Sequence, residues 1–337
     1  TVATKILSGK LKPNLGEENP PEWEKIKKEY RGTGLQNHFE KLADDNVETA
    51  TKPQQVERIP EAFKGTVKDF LTRNGRPENL EEVAEKFELE KLIDRQVENL
   101  SGGELQRLAI ASTISEEAEM YVFDEPSSFL DVKQRLKTGN EIRGLKGDVF
   151  AVEHDLATLD LISDKIHIFY GEKGSYGMVS NALSTKKGIN QYLDGHIPSQ
   201  NLKIRDDSIS FERSGSDRGT GQTVVNYKGM KKDFGKGEFE LETAPGTLKE
   251  DEIIGIIGEN GLGKTVFAKM LAGGIETDEG ESPEASISYK TQYIEASDVK
   301  VEDAFPQEAN MNTKRFQTRI EEPLELEPLY ERKLSNL

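Results

Sequence analysis

The chain has 337 residues, enough for two domains, with 32% charged and 34% hydrophobic residues and a formal net charge of −17. That acidic balance excludes a generally nucleic-acid-attracting surface, so any such contact must come from local basic patches on an otherwise solvated exterior. With no cysteine, these residues hold no disulfide, thiolate metal site or thiol nucleophile; no run of about 18 apolar residues offers a membrane span, and the expected compartment is the cytoplasm.

The opening Thr1-Val2-Ala3-Thr4-Lys5 has neither an initiator Met nor a signal-peptide apolar region, so the chain is expected to begin within a longer protein. From Trp23 to Leu42, apolar or aromatic residues fall at Trp23, Ile26, Tyr30, Leu35, Phe39 and Leu42, and Gly32-Thr33-Gly34 interrupts them. The pattern predicts helix, loop, helix. Lys25, Lys27, Lys28 and Arg31 make the first helix basic, which a solvated face explains equally well.

Leu100-Ser101-Gly102-Gly103-Glu104-Leu105-Gln106-Arg107 opens a helix predicted from Glu104 to Ile114. Ser101 is a good N-cap, and two glycines bare the backbone at the positive end of the helix, where an anion is favoured. Tyr121-Val122-Phe123 is an apolar strand running into Asp124 and Glu125. Two carboxylates there suit a Mg2+ ligand, Asp124, and a group polarising an attacking water, Glu125. A second apolar strand, Val149 to Val152, leads to His154; a lone histidine in that place is usually structural.

Ile197 to Gln222 is rich in Ser, Gly, Asp and Arg, and its stretch Arg213 to Gly221 reads as linker. Tyr227 or Phe234 is available to stack on an adenine ring, or to serve as a core aromatic. Ile253-Ile254-Gly255-Ile256-Ile257 reads as a buried strand, followed by Gly258-Glu259-Asn260-Gly261-Leu262-Gly263-Lys264-Thr265 and a helix from Val266 to Leu271. Strand, glycine loop and helix form the context of a phosphate-binding loop. Glycines let successive N–H groups converge on phosphate oxygens, Lys264 reaches the β- and γ-phosphates, and the Thr265 hydroxyl suits Mg2+. The residues expected to hold nucleotide therefore run from Gly258 to Val266.

The chain also repeats itself. Thr1-Val2-Ala3-Thr4-Lys5-Ile6-Leu7-Ser8-Gly9 matches Thr265 to Gly273 at Thr, Val, Lys, Leu and Gly, and Gly16 matches Gly280. Lys52-Pro53-Gln54 matches Lys290-Thr291-Gln292, and Asn99-Leu100 matches Asn336-Leu337. Gln54 lies 46 positions before Leu100, and Gln292 lies 45 before Leu337. Two similar units stand in tandem. The repeat leads one to expect that the first unit begins here at the Thr of a Lys-Thr position, Thr1, and that the second stops just before a Ser-Gly-Gly. The first carries an insertion of about 26 residues, the helix-loop-helix.

These strings resemble the ATP-binding cassette superfamily. The combination LSGGELQRLAIA, FDEPSSFLDVKQRL, VEHDLATLDLISDKIHIFYGEKGSYG and GIIGENGLGKTVFAKMLAG is similar to the twin-cassette ribosome-recycling ATPases, the RNase L inhibitor family, over nearly the whole chain. The resemblance implies an α/β fold of two tandem P-loop NTPase domains, both truncated. Residues 1–185 would be the first nucleotide-binding domain, with the insertion at about 20–45; residues 186–222 the hinge, and 223–337 the second domain. It implies that Asp124 and Glu125 form the Walker B element, His154 is the switch histidine, Ser128 to Asp131 the D-loop, and Gln54 and Gln292 the Q-loop glutamines approaching Mg2+ and the attacking water. Thr1 would bind nucleotide and Mg2+ as Thr265 does. Ser101, Gly102, Gly103 and Glu104 would grip the γ-phosphate held by the opposite P-loop. Tyr170-Gly171-Glu172 and Tyr176-Gly177 resemble the family's tyrosine-containing loop. Val266 and Thr291 depart from the commoner hydroxyl residue and proline at their positions.

The family implies ATP with Mg2+, iron–sulfur clusters only in an N-terminal domain outside these residues, and splitting of ribosomes after termination. Its partners are the small ribosomal subunit, release-factor-type proteins, and rRNA met through the helix-loop-helix and hinge, with no membrane. A transporter ATPase subunit would pair with membrane domains, and other soluble twin-cassette translation factors join their cassettes by a long charged helix; the tandem arrangement and the short Gly/Ser-rich linker here favour the recycling family. The glycine loop at 258–265 is expected to face Ser101 to Gly103, while Asp124, Glu125 and His154 serve the neighbouring site. The chain alone is expected to bind ATP weakly without turning it over.

Overall fold

The computed structural model describes the chain except for residues 1, 34, 45–46, 75–78, 173–175, 211–220, 236–238, 284, 293–296 and 307–308. Thr1 and most of the predicted linker therefore lie outside the described residues. Two units emerge: residues 1–216 together with 255–262, and residues 217–254 together with 263–337.

The first unit opens with helix α1 (Val2–Leu7) and the helical pair α2 (Trp23–Glu29) and α3 (Gln36–Ala43). The pair is the predicted insertion. Ile26 and Phe39 are buried in it, and Phe39 meets the rings of Trp23, Tyr30 and His38 at 6.5, 4.7 and 5.7 Å between centroids. The basic side chains stay outside this aromatic seam: Lys25 pairs with Glu17, and Lys27 with Asp44.

A parallel sheet follows. Strands β1 (Thr49–Lys52), β2 (Met120–Asp124) and β3 (Asp148–Val152) lie in the order β1-β2-β3. Parallel neighbours need crossovers of a dozen residues or more, and helices supply them. Between β1 and β2 run α4 (Ile59–Ala62), α5 (Val67–Asn74), α6 (Leu80–Lys86) and α7 (Gly102–Ser115); between β2 and β3 runs α8 (Val132–Arg143). All five residues of β2 are buried, as a central parallel strand covered on both faces requires. Val56, Leu89, Leu108, Ile110 and Phe123 form the heart of this core, each fully buried. β3 is the edge of the described sheet and leaves Val149 and Phe150 exposed.

Beyond α9 (Leu156–Ile162), three two-stranded antiparallel pieces complete the unit: β4 (Lys165–Ile166) with β7 (Leu183–Ser184), β5 (Phe169–Glu172) with β6 (Tyr176–Val179), and β8 (His196–Ile197) with β9 (Leu202–Lys203). Helix α10 (Thr185–Asp194) ends at Gly195 in the left-handed conformation, and Arg205 donates to the last carbonyls of that helix, Tyr192 and Leu193.

The second unit holds two antiparallel ladders, β10 (Thr223–Tyr227) with β13 (Gly246–Lys249) and β11 (Lys231–Asp233) with β12 (Glu240–Glu242), and helix α11 (Lys264–Leu271). Met230, Met270, Val301 and Phe316 are among its buried residues. One expectation fails here. Ile253 to Ile257 forms no strand, and Ile253 and Ile257 are 78% and 90% exposed. An apolar run becomes a buried parallel strand only with neighbours on its flanks, and no described strand pairs with this run.

Candidate functional site

Parallel registers align the C-terminal ends of the three strands: Lys52 sits opposite Phe123, and Asp124 opposite Val152. In open α/β sheets the crevice beyond these ends is where ligands bind. Gln54, Glu125 and His154 each follow one of these ends by one or two residues, so the sheet gathers three side chains that lie far apart in sequence.

Their geometry centres on the Glu125 carboxylate. Gln54 Nε2 donates to Glu125 Oε1 at 2.7 Å, and Ser128 Oγ donates to Oε2 at 3.2 Å. His154 Nε2 lies 3.7 Å from Oε1, with its ring 82% exposed. Asp124 is buried beside them at the end of β2. The Asp124 carboxylate and the Gln54 amide oxygen are hard oxygen donors of the kind Mg2+ takes, so the residues fit that ion.

The backbone beneath this carboxylate is unusual. Glu125 has φ +49°, in the left-handed region. Its N–H donates to the Val152 carbonyl at 2.8 Å, which pins it to β3. Lys52, fully buried, donates from Nζ to the carbonyls of Asp124 at 2.8 Å and Glu125 at 3.2 Å. Burial pushes the Lys52 ammonium down to about 8, against the pull of the nearby Asp124, Glu125, Glu153 and Glu57 carboxylates.

Glu153 works as a tie. Its Oε2 accepts from the Ser127 N–H at 3.0 Å, and its Oε1 accepts from the N–H groups of His154 at 2.7 Å and Asp155 at 3.0 Å. Asp155 then caps α9 by accepting from the Thr158 N–H at 2.7 Å and pairs with Arg135 at 2.8 Å. Its carboxyl is held below the usual range, first by the Thr158 amide and further by Arg135.

The helix start at Ser101 is built as expected. Ser101 Oγ accepts from the Glu104 N–H, and the Glu104 carboxylate accepts from the Ser101 N–H at 2.7 Å, a complete capping box on α7. Residues 255–262, which belong to the same unit, bring Asn260 to this region. Its N–H donates to Asp131 Oδ2 at 2.9 Å, and its Nδ2 donates to the Phe129 carbonyl at 2.9 Å. Asp131 Oδ1 accepts from the Gln134 N–H and caps α8. Lys133 pairs with Glu259 at 3.2 Å. Gly103 is closely approached here: a Cβ would stand 3.1 Å from the Phe129 carbonyl and 3.3 Å from Asn260 Nδ2, so these neighbours would have to give by a few tenths of an ångström.

In the glycine loop, Gly261 and Gly263 take φ of +80° and +82°, and Gly263 is the N-cap of α11, whose first residues are Lys264, Thr265 and Val266. The loop therefore curls into a helix N-terminus, the arrangement that favours phosphate. Tyr227 packs against Phe267 of α11 with centroids 6.0 Å apart, whereas Phe234 is 44% exposed. Gln292 lies on exposed, irregular backbone.

A family profile described as ABC transporter matches residues 1–128 and 241–331. The chain belongs to the ABC transporter family. It is 43% identical over 339 residues to an uncharacterized ABC transporter ATP-binding protein of Methanocaldococcus jannaschii, covering 99% of this chain and 56% of that protein. It is 39% identical to the translation initiation factor RLI1 of Saccharomyces cerevisiae, covering 100% of this chain and 58% of the relative. Among solved structures, it is similar to ABCE1 in a model of ribosome-bound archaeal Pelota and ABCE1, with a TM-score of 0.90, 41% identity, and coverage of 100% of this chain and 57% of that one. An archaeal ribosome recycling factor, aABCE1, in complex with the ribosomal stalk protein aP1 gives a TM-score of 0.84 at 41% identity, covering 100% of this chain and 66% of that one. The chain thus spans somewhat more than half the length of the curated relatives it matches. No described helix of this cassette chain is long and apolar enough to cross a membrane.

Four side chains at the site are given no role by the sequence: Lys52, Ser128 as a donor to Glu125, Glu153, and Gln106, whose Nε2 donates to the Glu125 and Pro126 carbonyls. Lys52 had a signal. The repeat sets Lys52-Pro53-Gln54 beside Lys290-Thr291-Gln292, so a lysine stands two residues before each glutamine.

Proposed function

We propose that this chain supplies parts of two ATP sites in a twin-cassette ATPase that binds the small ribosomal subunit and separates ribosomal subunits after termination. The observation that carries the reading is the convergence of Gln54, Glu125 and His154 beyond the ends of three parallel strands. Its support for a ribosomal role is the likeness to ABCE1 and to RLI1.

In this reading residues 1–185 are the first nucleotide-binding domain, 186–222 the hinge and 223–337 the second domain. Glu125 accepts a proton from the attacking water, Gln54 holds the carboxylate in place, and His154 meets the terminal phosphate. Asp124 and Gln54 would hold Mg2+ in the site that Thr1 would complete, and Thr265 and Gln292 would hold it in the other. Mg2+, when bound, supplies neutralising charge to the β- and γ-phosphates. The amides of Gly258 to Val266 and the Lys264 ammonium hold the second nucleotide, with Tyr227 beside its adenine. Ser101 to Glu104 grip the γ-phosphate across from that loop. Closing and opening follow from different affinities of the open and closed states for ATP and for its products. The helical pair α2–α3, with Lys28 and Arg31, and the hinge meet rRNA; release-factor-type proteins and the subunit are the partners.

The test is co-sedimentation of the protein, extended to the length of its relatives, with purified small ribosomal subunits. Binding in the presence of a non-hydrolysable ATP analogue, lost with Lys264→Ala, is the expected result. Equal pelleting with and without nucleotide, or none at all, refutes the ribosomal reading.

A further inference from the structure

The turn that follows β2 is held from beneath by two side chains that the proposed hydrolysis does not itself use. A left-handed backbone is strained for a residue other than glycine, and it persists only where the surroundings over-determine it. At Glu125 they do. Gln106 Nε2 donates to the Glu125 carbonyl at 2.8 Å and to the Pro126 carbonyl at 2.9 Å. Lys52 Nζ donates to the Asp124 and Glu125 carbonyls at 2.8 and 3.2 Å. Three consecutive peptide groups are thus gripped by one buried cation and one buried amide, both fully inaccessible.

A fully buried lysine is an expensive way to fill space, because the ammonium gives up its hydration on burial. A methionine would pack a strand end with no such cost. If Lys52 served only to balance the local carboxylates, its N–H bonds would run to carboxylate oxygens. They run instead to main-chain carbonyls on either side of the Asp124–Glu125 junction. Lys52 is also the last residue of β1, two before Gln54, so one side chain fixes both the turn bearing Glu125 and the strand exit bearing its 2.7 Å partner.

We propose that Lys52 and Gln106 are positioning residues for Glu125, clamping the 124–126 backbone in the left-handed turn that presents the carboxylate to Gln54 and Ser128. The inference rests on the reading of Glu125 as the hydrolytic carboxylate. Neither residue touches nucleotide in this scheme, so each acts on the rate of the chemical step and not on ATP affinity.

The experiment uses the protein extended to the length of its relatives and measures three quantities: single-turnover ATP hydrolysis, ATP affinity with a fluorescent nucleotide, and thermal unfolding. The proteins are wild type, Lys52→Met, Gln106→Met, Glu125→Gln, and each methionine variant combined with Glu125→Gln. Lys52→Met and Gln106→Met are each expected to slow hydrolysis about tenfold or more, as small misplacements of a catalytic group do, with ATP affinity held within about twofold. Added to Glu125→Gln, each should change the residual rate less than about twofold, because the group they position is already disabled. Equal losses in both backgrounds, parallel losses of rate and affinity, or an unchanged rate in the folded single variants overturn the inference. If one methionine variant does not fold, the other decides; if neither folds, the pair is structural and the inference fails. Unimpaired hydrolysis by Glu125→Gln alone would instead overturn the underlying reading of Glu125.

Discussion

The Gln54 side-chain amide donates to the Glu125 carboxylate at 2.7 Å, joining the exit of one parallel strand to the exit of its neighbour across 71 positions of sequence. The bond orients a carboxylate that is otherwise bounded by Ser128 and an exposed imidazole. Removing it leaves the carboxylate held, among the described residues, by the Ser128 hydroxyl alone. Gln54→Ala is therefore expected to lower ATP hydrolysis by the full-length protein about tenfold or more while the fold is kept. Steady-state phosphate release beside a circular-dichroism melt checks both halves of that statement.

Lys264 stands at the first position of α11, behind a glycine loop that already takes left-handed φ at Gly261 and Gly263. Its replacement removes a cation and leaves the amide cradle. Lys264→Ala in this chain should weaken ATP binding about tenfold or more, read by calorimetry, as expected for loss of a charge-assisted phosphate contact. Affinity unchanged within error would show that the loop does not hold the nucleotide.

The capping box on α7 makes a separate prediction about stability. Ser101→Ala removes the acceptor for the Glu104 N–H and should destabilise the first unit by about 1 kcal/mol in urea unfolding. Glu104→Ala should cost a similar amount, and the double variant less than the two together, because each partner serves the other's orphan N–H.

Asp155 gives a pH signature. Its carboxyl lies below the ordinary value of 3.8 because the Thr158 amide, and then Arg135, favour the charged form. A depressed folded-state value means stability that is fully present above the unfolded value and is lost as pH falls through the folded one. Denaturation midpoints of wild type should therefore fall on acidification from about pH 5 downward more steeply than those of Asp155→Asn, which keeps a capping oxygen without the titration. Parallel slopes would remove Asp155 from the account.

Much of this was legible in residue order. The glycine loop with its helix, the capped helix at Ser101, the buried strand ending in Asp124, and the helical pair around Phe39 all rest on local chemistry: φ at glycine, a side-chain acceptor at a helix start, periodic apolar residues. What sequence could not show depends on distant neighbours. Ile253 to Ile257 has the composition of a buried strand, yet pairing, not composition, makes a strand, and this run is exposed. The tie from Lys52 to residues 124 and 125 spans more than seventy positions and joins a side chain to main chain, so no motif records it. Tyr227, open between two roles, is seen packed against Phe267 of α11 and over Gly246 of the neighbouring strand, partners that residue order does not reveal.

Glu153 receives three amide protons, one from Ser127 and two from His154 and Asp155. A single carboxylate is thus the knot between two loops that leave different strands. The His154 and Ser127 peptides are therefore held to the same group, and Ser127 opens the turn that carries Ser128 and Phe129. Both loops thus take their main-chain anchor from one side chain, and replacing Glu153 would release the two together.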